Sequence, residues 1–481
     1  MMQSGSPALK GHKLARLLGS WSTGQRPSSG ALYRAVRQSV LDGRLPPGTR
    51  LPAEREFAEA VGTSRTLVAS ALERLRAEGL VASRRGAGSW VSLPEGGTEA
   101  GSGGWFPPEH AETINFAQAT PAAPPELAEA VENARTRFAE QIGGHGYQPH
   151  GLHALRERIA ERFTRRGLPT GPHQVLVTNG AQHAFALTLR LLTAPGERVL
   201  VEHPTYPNAL EAVRAVNAAA LPVPMVDGGW DPELVEATLA QGAPRLAYLI
   251  PDFQNPTGAL MSGATRERLA AALRRHRTTA VVDETLVDID LTAAAAPPPM
   301  ASFAEERVIT IGSASKSFWG GLRLGWVRAP EEFVQRMVIG RAAVDLGSPV
   351  FEQLVLAELL GRADAILRSR RVETIERRDA LVAAVRESCP QWSIPVPDGG
   401  LALWCHLGQP VGSRLAVAAE QHGVRLASGS MFAVQGSLED RVRLPYTLPI
   451  DRLRAAVSKL ALAWTAVHGV GADDPWRSPI T

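Results

Sequence analysis

Between residues 113 and 470, short apolar runs alternate with helical stretches, and this alternation restricts the fold more than any other feature of the chain. "QVLVTNG" runs into "AQHAFALTLRLLTA", "RVLVEHP" into "NALEAVRAV", and "RLAYLIPDF", through a turn, into "GATRERLAAALRRH". "TTAVVDE" and "RVITIGSAS" are two further runs. Strands followed by helices point to a mainly parallel sheet covered by helices, an α/β fold. In such a sheet a ligand sits beyond the carboxyl ends of the strands.

The segments expected at those ends are "TNGAQ" (178–182), "HPTYPN" (203–208), "PDFQNPTG" (251–258), "VVDETL" (281–286) and "SASKSF" (313–318). Each is ordinary alone: a turn, a loop or a helix cap. Together they hold the parts of one site. Gly180 lets backbone amides approach an anion at a helix N-terminus, which the helix dipole also favours. Ser313, Ser315 and Arg323 add two hydroxyls and a fixed cation, suited to a phosphate ester. Tyr206 offers a flat face for a planar ring. Asp283 offers a carboxylate to a protonated ring nitrogen, and Asn255 a donor to a ring oxygen. Lys316 offers an amine able to form a Schiff base.

At 481 residues the chain exceeds one ordinary domain. The stretch "SLPEGGTEAGSGGWFPPEH" (92–110) is rich in Gly, Ser and Pro, and reads as a linker, assigned to 94–112, between a module at 28–93 and a body at 113–470. Residues 1–93 hold 14 Lys+Arg against 6 Asp+Glu, whereas the remainder holds 37 against 42. Only the small module therefore suits a polyanion. Cys389 and Cys405 have no metal or disulfide spacing, so no metal is expected. No run is long enough to span a bilayer and no secretory signal is recognisable, so the expectation is a cytoplasmic protein.

In the small module "ALYRAVRQSVLDG" has helical spacing at Leu32, Val36 and Val40, and the prolines of "RLPPGTRLP" force a turn. "AEREFAEAVG" is a short helix turning Phe57, Ala58 and Val61 inward. A second helix follows the turn at Gly62, capped by Ser64, with Leu67, Val68, Ala71, Leu72 and Leu75 as its buried stripe. "LVASRRGAGSWVSL" reads as a hairpin. Helix, helix, turn, helix and hairpin make a winged helix-turn-helix. Arg65 and Thr66 then stand at the exposed start of the recognition helix, and Arg84 and Arg85 at the wing tip.

"RLPPGTRLPAEREFAEAVGTSRTLVASALERLRAEGLVASRRGAGSWV" resembles the DNA-binding domain of the GntR family of bacterial repressors. The resemblance implies contacts to double-stranded DNA from Arg55, Ser64, Arg65, Thr66, Arg85 and Gly86. Ala69 departs from an arginine found in some relatives, which bears on the operator sequence. The body resembles the fold-type I aminotransferases, with large and small domains and pyridoxal 5′-phosphate (PLP) as cofactor. That resemblance makes Lys316 the Schiff-base lysine and Asp283 the partner of the pyridine nitrogen. It sets Asn255 on the phenolic oxygen and Tyr206 against the ring. Gly180, Ala181, Gln182, Ser313, Ser315 and Arg323 would hold the phosphate. Tyr147 would reach the phosphate of a neighbouring subunit, and Arg443 an effector carboxylate. Relatives have a tyrosine two or three residues after the aspartate; here Thr285 and Leu286 stand there.

The two halves in this order resemble the MocR family of bacterial transcription regulators. The resemblance implies PLP, a small amino compound as effector, and a homodimer with head-to-tail exchange of domains. An active aminotransferase with an appended DNA-binding domain is the alternative, and a PLP-free scaffold is the third reading.

Overall fold

The computed structural model describes residues 9–19, 21, 27–41, 44–45, 48–84, 88–92, 113–226, 228–292, 296–434 and 436–468. The expected linker at 94–112 therefore lies outside the described residues, as do Arg85 and Gly86. Two compact units are present: residues 1–118, 406–442 and 456–481 form one, and residues 119–405 and 443–455 the other.

The first unit opens with α1 (Gly11–Leu18), α2 (Ser29–Leu41), α3 (Glu54–Ala60), α4 (Arg65–Ala77), β1 (Val81–Arg84) and β2 (Gly88–Val91). Leu14, Leu32, Val36, Phe57, Val68, Leu72, Leu75 and Val91 share one buried core, with Val61 and Leu67 packed against it. Gly62, at φ +67°, makes the turn between α3 and α4, and the Ser64 hydroxyl accepts the Leu67 N–H at 3.2 Å to cap α4. β1 and β2 pair antiparallel from Val81↔Val91 to Arg84↔Gly88. This is the winged helix-turn-helix read from the sequence. α1 was not anticipated; its Leu14 and Leu18, one turn apart, are too short a stripe to stand out. β3 (Ile114–Phe116) also belongs to this unit.

The second unit begins with α5 (Glu126–Phe138) and α6 (His153–Arg165). It then alternates through β4 (Val175–Thr178), α7 (Ala181–Leu192), β5 (Arg198–His203), α8 (Pro207–Ala215), β6 (Ala219–Pro224), α9 (Pro232–Gly242), β7 (Leu246–Leu249), α10 (Gly263–Arg275), β8 (Thr279–Asp283), β9 (Val308–Ser313) and β10 (Gly325–Arg328). α11 (Glu331–Arg341), α12 (Val350–Gly361) and α13 (Ala363–Ser388) follow. The chain closes with β11 (Ala402–His406), α14 (Gly412–Gln421), β12 (Val424–Ser428), β13 (Arg441–Pro445) and α15 (Ile450–His468). Within the first unit β12 runs parallel to β3, pairing Val424 with Ile114.

The seven strands β4 to β10 form one sheet in the order β4-β10-β9-β8-β7-β5-β6. Only β10 runs against its neighbours. Strands such as β4, β7 and β9 are buried along their whole length. This explains why they read as continuous apolar runs and not as alternating ones. Gly325 in β10 permits one decisive close approach: a Cβ there would lie 2.6 Å from the Gly180 carbonyl carbon and 2.8 Å from the Ala181 nitrogen. Among the described residues no helix is long and apolar enough to cross a membrane.

Candidate functional site

The carboxyl ends of β4, β5, β7, β8 and β9 carry the five polar segments expected there. Lys316 lies on a wide π-helical turn, Ser315–Trp319, just after β9. Its Nζ donates to the Ala119 carbonyl at 2.8 Å. Burial, and next the Arg443 guanidinium, push its pKa down to about 8 against the pull of Asp283. The turn is braced from the other side. Ser317 Oγ donates to Asp288 Oδ2 at 2.6 Å, Arg162 Nη2 meets Asp288 Oδ1 at 2.5 Å, and Arg370 Nη2 donates to the Phe318 carbonyl at 2.9 Å.

Asp283 is buried at the end of β8. Its Oδ1 accepts the Thr285 N–H at 2.8 Å and its Oδ2 the Tyr248 hydroxyl at 2.7 Å. Burial raises its pKa, opposed by the hydrogen bonds from Thr285 and Tyr248 and by the charge of Lys316. Leu286 packs in an apolar cluster with Phe253, Ile289 and Leu401.

Gly180, at φ +90°, closes the turn after β4 and opens α7; a Cβ there would lie 3.3 Å from Arg323 Nη2. The Gln182 side chain is committed, donating to the Asn208 carbonyl at 2.9 Å. What Ala181 and Gln182 present at the helix start is therefore their backbone N–H groups. Ser313 Oγ donates to Ser315 Oγ at 2.9 Å, leaving the Ser315 proton for an outside acceptor. Arg323 keeps an exposed guanidinium on the same side.

Tyr206 stands at the start of α8, its hydroxyl accepting from Asn208 Nδ2 at 2.9 Å. The segments carrying Tyr206 and Asn255 are cross-braced by Glu202. Its Oε1 accepts Trp230 Nε1 at 2.7 Å and the Ile250 N–H at 2.9 Å, and its Oε2 accepts Gln254 Nε2 at 3.0 Å. Gln254 Nε2 also reaches the Pro204 carbonyl at 2.8 Å. Burial pushes the Glu202 carboxyl up to about 7. Arg443, buried on β13 and with its pKa pushed down to about 10 by burial, donates from Nη1 to Asn255 Oδ1 at 3.1 Å. That bond orients Asn255 with Nδ2 as its remaining donor. Tyr147 is not gathered with these residues: it is 58% exposed, its ring stacked on His145.

In the first unit, Arg55, Ser64, Arg65, Thr66 and Arg84 are all exposed. Arg65 Nε pairs with Glu54 at 3.3 Å yet its side chain stays 74% exposed, so the guanidinium can exchange that surface partner at little cost.

Residues 112–460 match the family described as aminotransferase class I and II, and residues 28–91 match the bacterial regulatory proteins of the gntR family. The chain belongs to the class I and II aminotransferase family. With a gntR-type domain ahead of that body, it has the architecture of a MocR-type transcription regulator. It is 26% identical to the probable rhizopine catabolism regulatory protein MocR of Rhizobium meliloti, over 93% of this chain and 95% of that one. It is 31% identical to the 2-aminoadipate transaminase of Thermus thermophilus, over 73% of this chain and 89% of that one. Among solved structures, the alpha-aminoadipate aminotransferase of Thermus thermophilus, complexed with N-(5'-phosphopyridoxyl)-L-leucine, superposes with a TM-score of 0.69 at 29% identity. That superposition covers 75% of this chain and 94% of that one.

Sequence reasoning missed three residues of this MocR-type body. Tyr248 was one apolar-strand residue among many, although a phenol inside a buried strand needs a hydrogen-bond partner. Glu202 was the clearer signal, a carboxylate inside "RVLVEHP". Gln254 was hidden in a motif read for its asparagine.

Proposed function

We propose that this MocR-type regulator binds DNA through its winged helix and PLP through Lys316, and that PLP or an amino compound captured on it sets the DNA-binding state. The observation that carries the reading is Lys316 itself: an amine with its pKa brought near 8, at the same carboxyl end of the sheet as a buried aspartate. The remaining residues fit the group. Gly180 leaves room beside Arg323 where a Cβ would intrude, and the α7 amides with Ser313, Ser315 and Arg323 suit a phosphate. Asp283, held by Tyr248 and Thr285, faces the role of partner to a ring N–H, and Asn255 Nδ2 that of donor to a ring oxygen. Tyr206 would lie against the ring.

When bound, PLP supplies an aldehyde that captures primary amines. Lys316 has to present an uncharged amine for this, and its depressed pKa provides one near neutral pH. Arg443 binds the carboxylate of an incoming amino compound, giving up its bond to Asn255 as it does so. A ligand must differ in affinity between two states to shift them, and this exchange of partners at Arg443 is such a difference. Tyr147, exposed in the single chain, serves the site of a second copy in a homodimer. The test is a gel shift on the DNA upstream of the gene, with and without PLP and amino acids, using wild type and Lys316→Ala. The reading predicts retention that PLP changes in the wild type alone. Retention indifferent to PLP in both proteins would refute it.

A further inference from the structure

Helix α1 lies outside the residues that match the gntR family, and nothing in that resemblance assigns it a task. It is nonetheless firmly placed. Leu14 and Leu18 enter the winged-helix core. The Gly11 N–H donates to Glu56 Oε1 at 2.7 Å, and a Cβ on Gly11 would come within 2.9 Å of Ala60 Cβ, so α1 packs directly on α3. The Leu9 N–H donates to the Arg50 carbonyl at 2.8 Å, and Arg50 in turn bridges to Trp90 of the wing hairpin. Arg44 Nη1 closes the other end on the Leu17 carbonyl at 2.7 Å.

This placement sets the start of α1 against Glu56 and Ala60 of α3, the helix that also carries Arg55, with Leu9 on Arg50 beside the wing hairpin. What α1 turns outward there is basic. Lys10, His12 and Lys13 are exposed, and residues 9–19 contain no acid. The nearest carboxylate, Glu56, is already engaged by the Gly11 N–H, and Glu59 is the one other exposed acid on α3. Duplex DNA presents a phosphate charge about every 1.7 Å of its axis. Cations beside Arg50 and the wing hairpin suit that charge.

We infer that α1 is an additional DNA-contacting element, in which Lys10 and Lys13 hold backbone phosphates beside those held by the gntR-type domain. The inference rests on the DNA-binding reading above. Phosphate contacts carry no base preference, so α1 strengthens binding to any duplex and tightens register without reading sequence.

The experiment uses the full chain and two duplexes of about 30 base pairs, one from the DNA upstream of the gene and one of unrelated sequence. Affinity is measured between about 50 and 200 mM salt. For Lys10→Ala/Lys13→Ala, the slope of log K against log salt should become shallower by about 1.8, at about 0.9 for each phosphate lost, on both duplexes. Lys10→Arg/Lys13→Arg should restore it, which separates charge from folding. A slope unchanged in the double alanine variant, with wild type binding normally, overturns the inference and leaves the regulator reading standing. Wild type that binds neither duplex overturns both.

Discussion

The pKa of Lys316 leads to a quantitative expectation. An amine with a pKa of about 8 is uncharged in about one molecule in ten at pH 7, whereas the ordinary 10.5 would leave about one in three thousand. Capture of PLP consumes the uncharged amine. Its rate in the PLP-free protein should rise about tenfold per pH unit below pH 8 and level off above it. Mixing with PLP at a series of pH values, followed by visible absorbance, reads this directly. The neighbours provide sign tests. Arg443 lowers the lysine pKa and Asp283 raises it, so Arg443→Met should move the midpoint up and Asp283→Asn should move it down. Stability follows the same titration. Between about pH 8 and 10.5 the native lysine has lost a proton that the unfolded chain keeps, so the PLP-free protein gains stability as pH rises through that window. Below pH 8 it bears the full cost of holding the ammonium. A capture rate still climbing about tenfold per unit at about pH 9.5, or a midpoint indifferent to Arg443, would refute the reasoning.

Three other substitutions test separate parts. Tyr248→Phe removes a hydrogen bond to a carboxylate, worth about 1.5–3 kcal/mol; thermal melts should show a loss of that order, and a PLP titration weaker affinity. Gly180→Ala forces an alanine into an extended positive-φ conformation essentially reserved for glycine and crowds Arg323; about 1–3 kcal/mol of stability should be lost, with weaker PLP retention, in thermal melts and the same titration. Ser64→Ala deletes the cap of the recognition helix at about 1 kcal/mol, and should lower both the winged-helix melting temperature and DNA affinity.

The sheet was legible because its central strands are buried on both faces and so read as unbroken apolar runs. The site followed from it, since each polar segment terminates one of those strands. The recognition helix was legible for a different reason: Ser64 and the stripe from Leu67 to Leu75 mark start and inner face together. What escaped depends on tertiary partners. The Tyr248 bond to Asp283 joins β7 to β8, and nothing in either strand alone requires it. The Glu202 brace likewise joins residues from 202 to 254. Helix α1 escaped because its eight residues offer only a short apolar stripe, and its position depends on Glu56, Arg50 and Arg44 far along the chain. The bond from Arg443 to Asn255 bridges 188 residues.

The chain contains only four lysines, Lys10, Lys13, Lys316 and Lys459, which makes one measurement unusually decisive. Protein incubated with PLP is reduced with borohydride, digested, and mapped by mass spectrometry. The account predicts one phosphopyridoxyl group, on Lys316, matched by loss of the visible band and absent from Lys316→Ala. An unlabelled Lys316, or label shared among the other lysines, would contradict it.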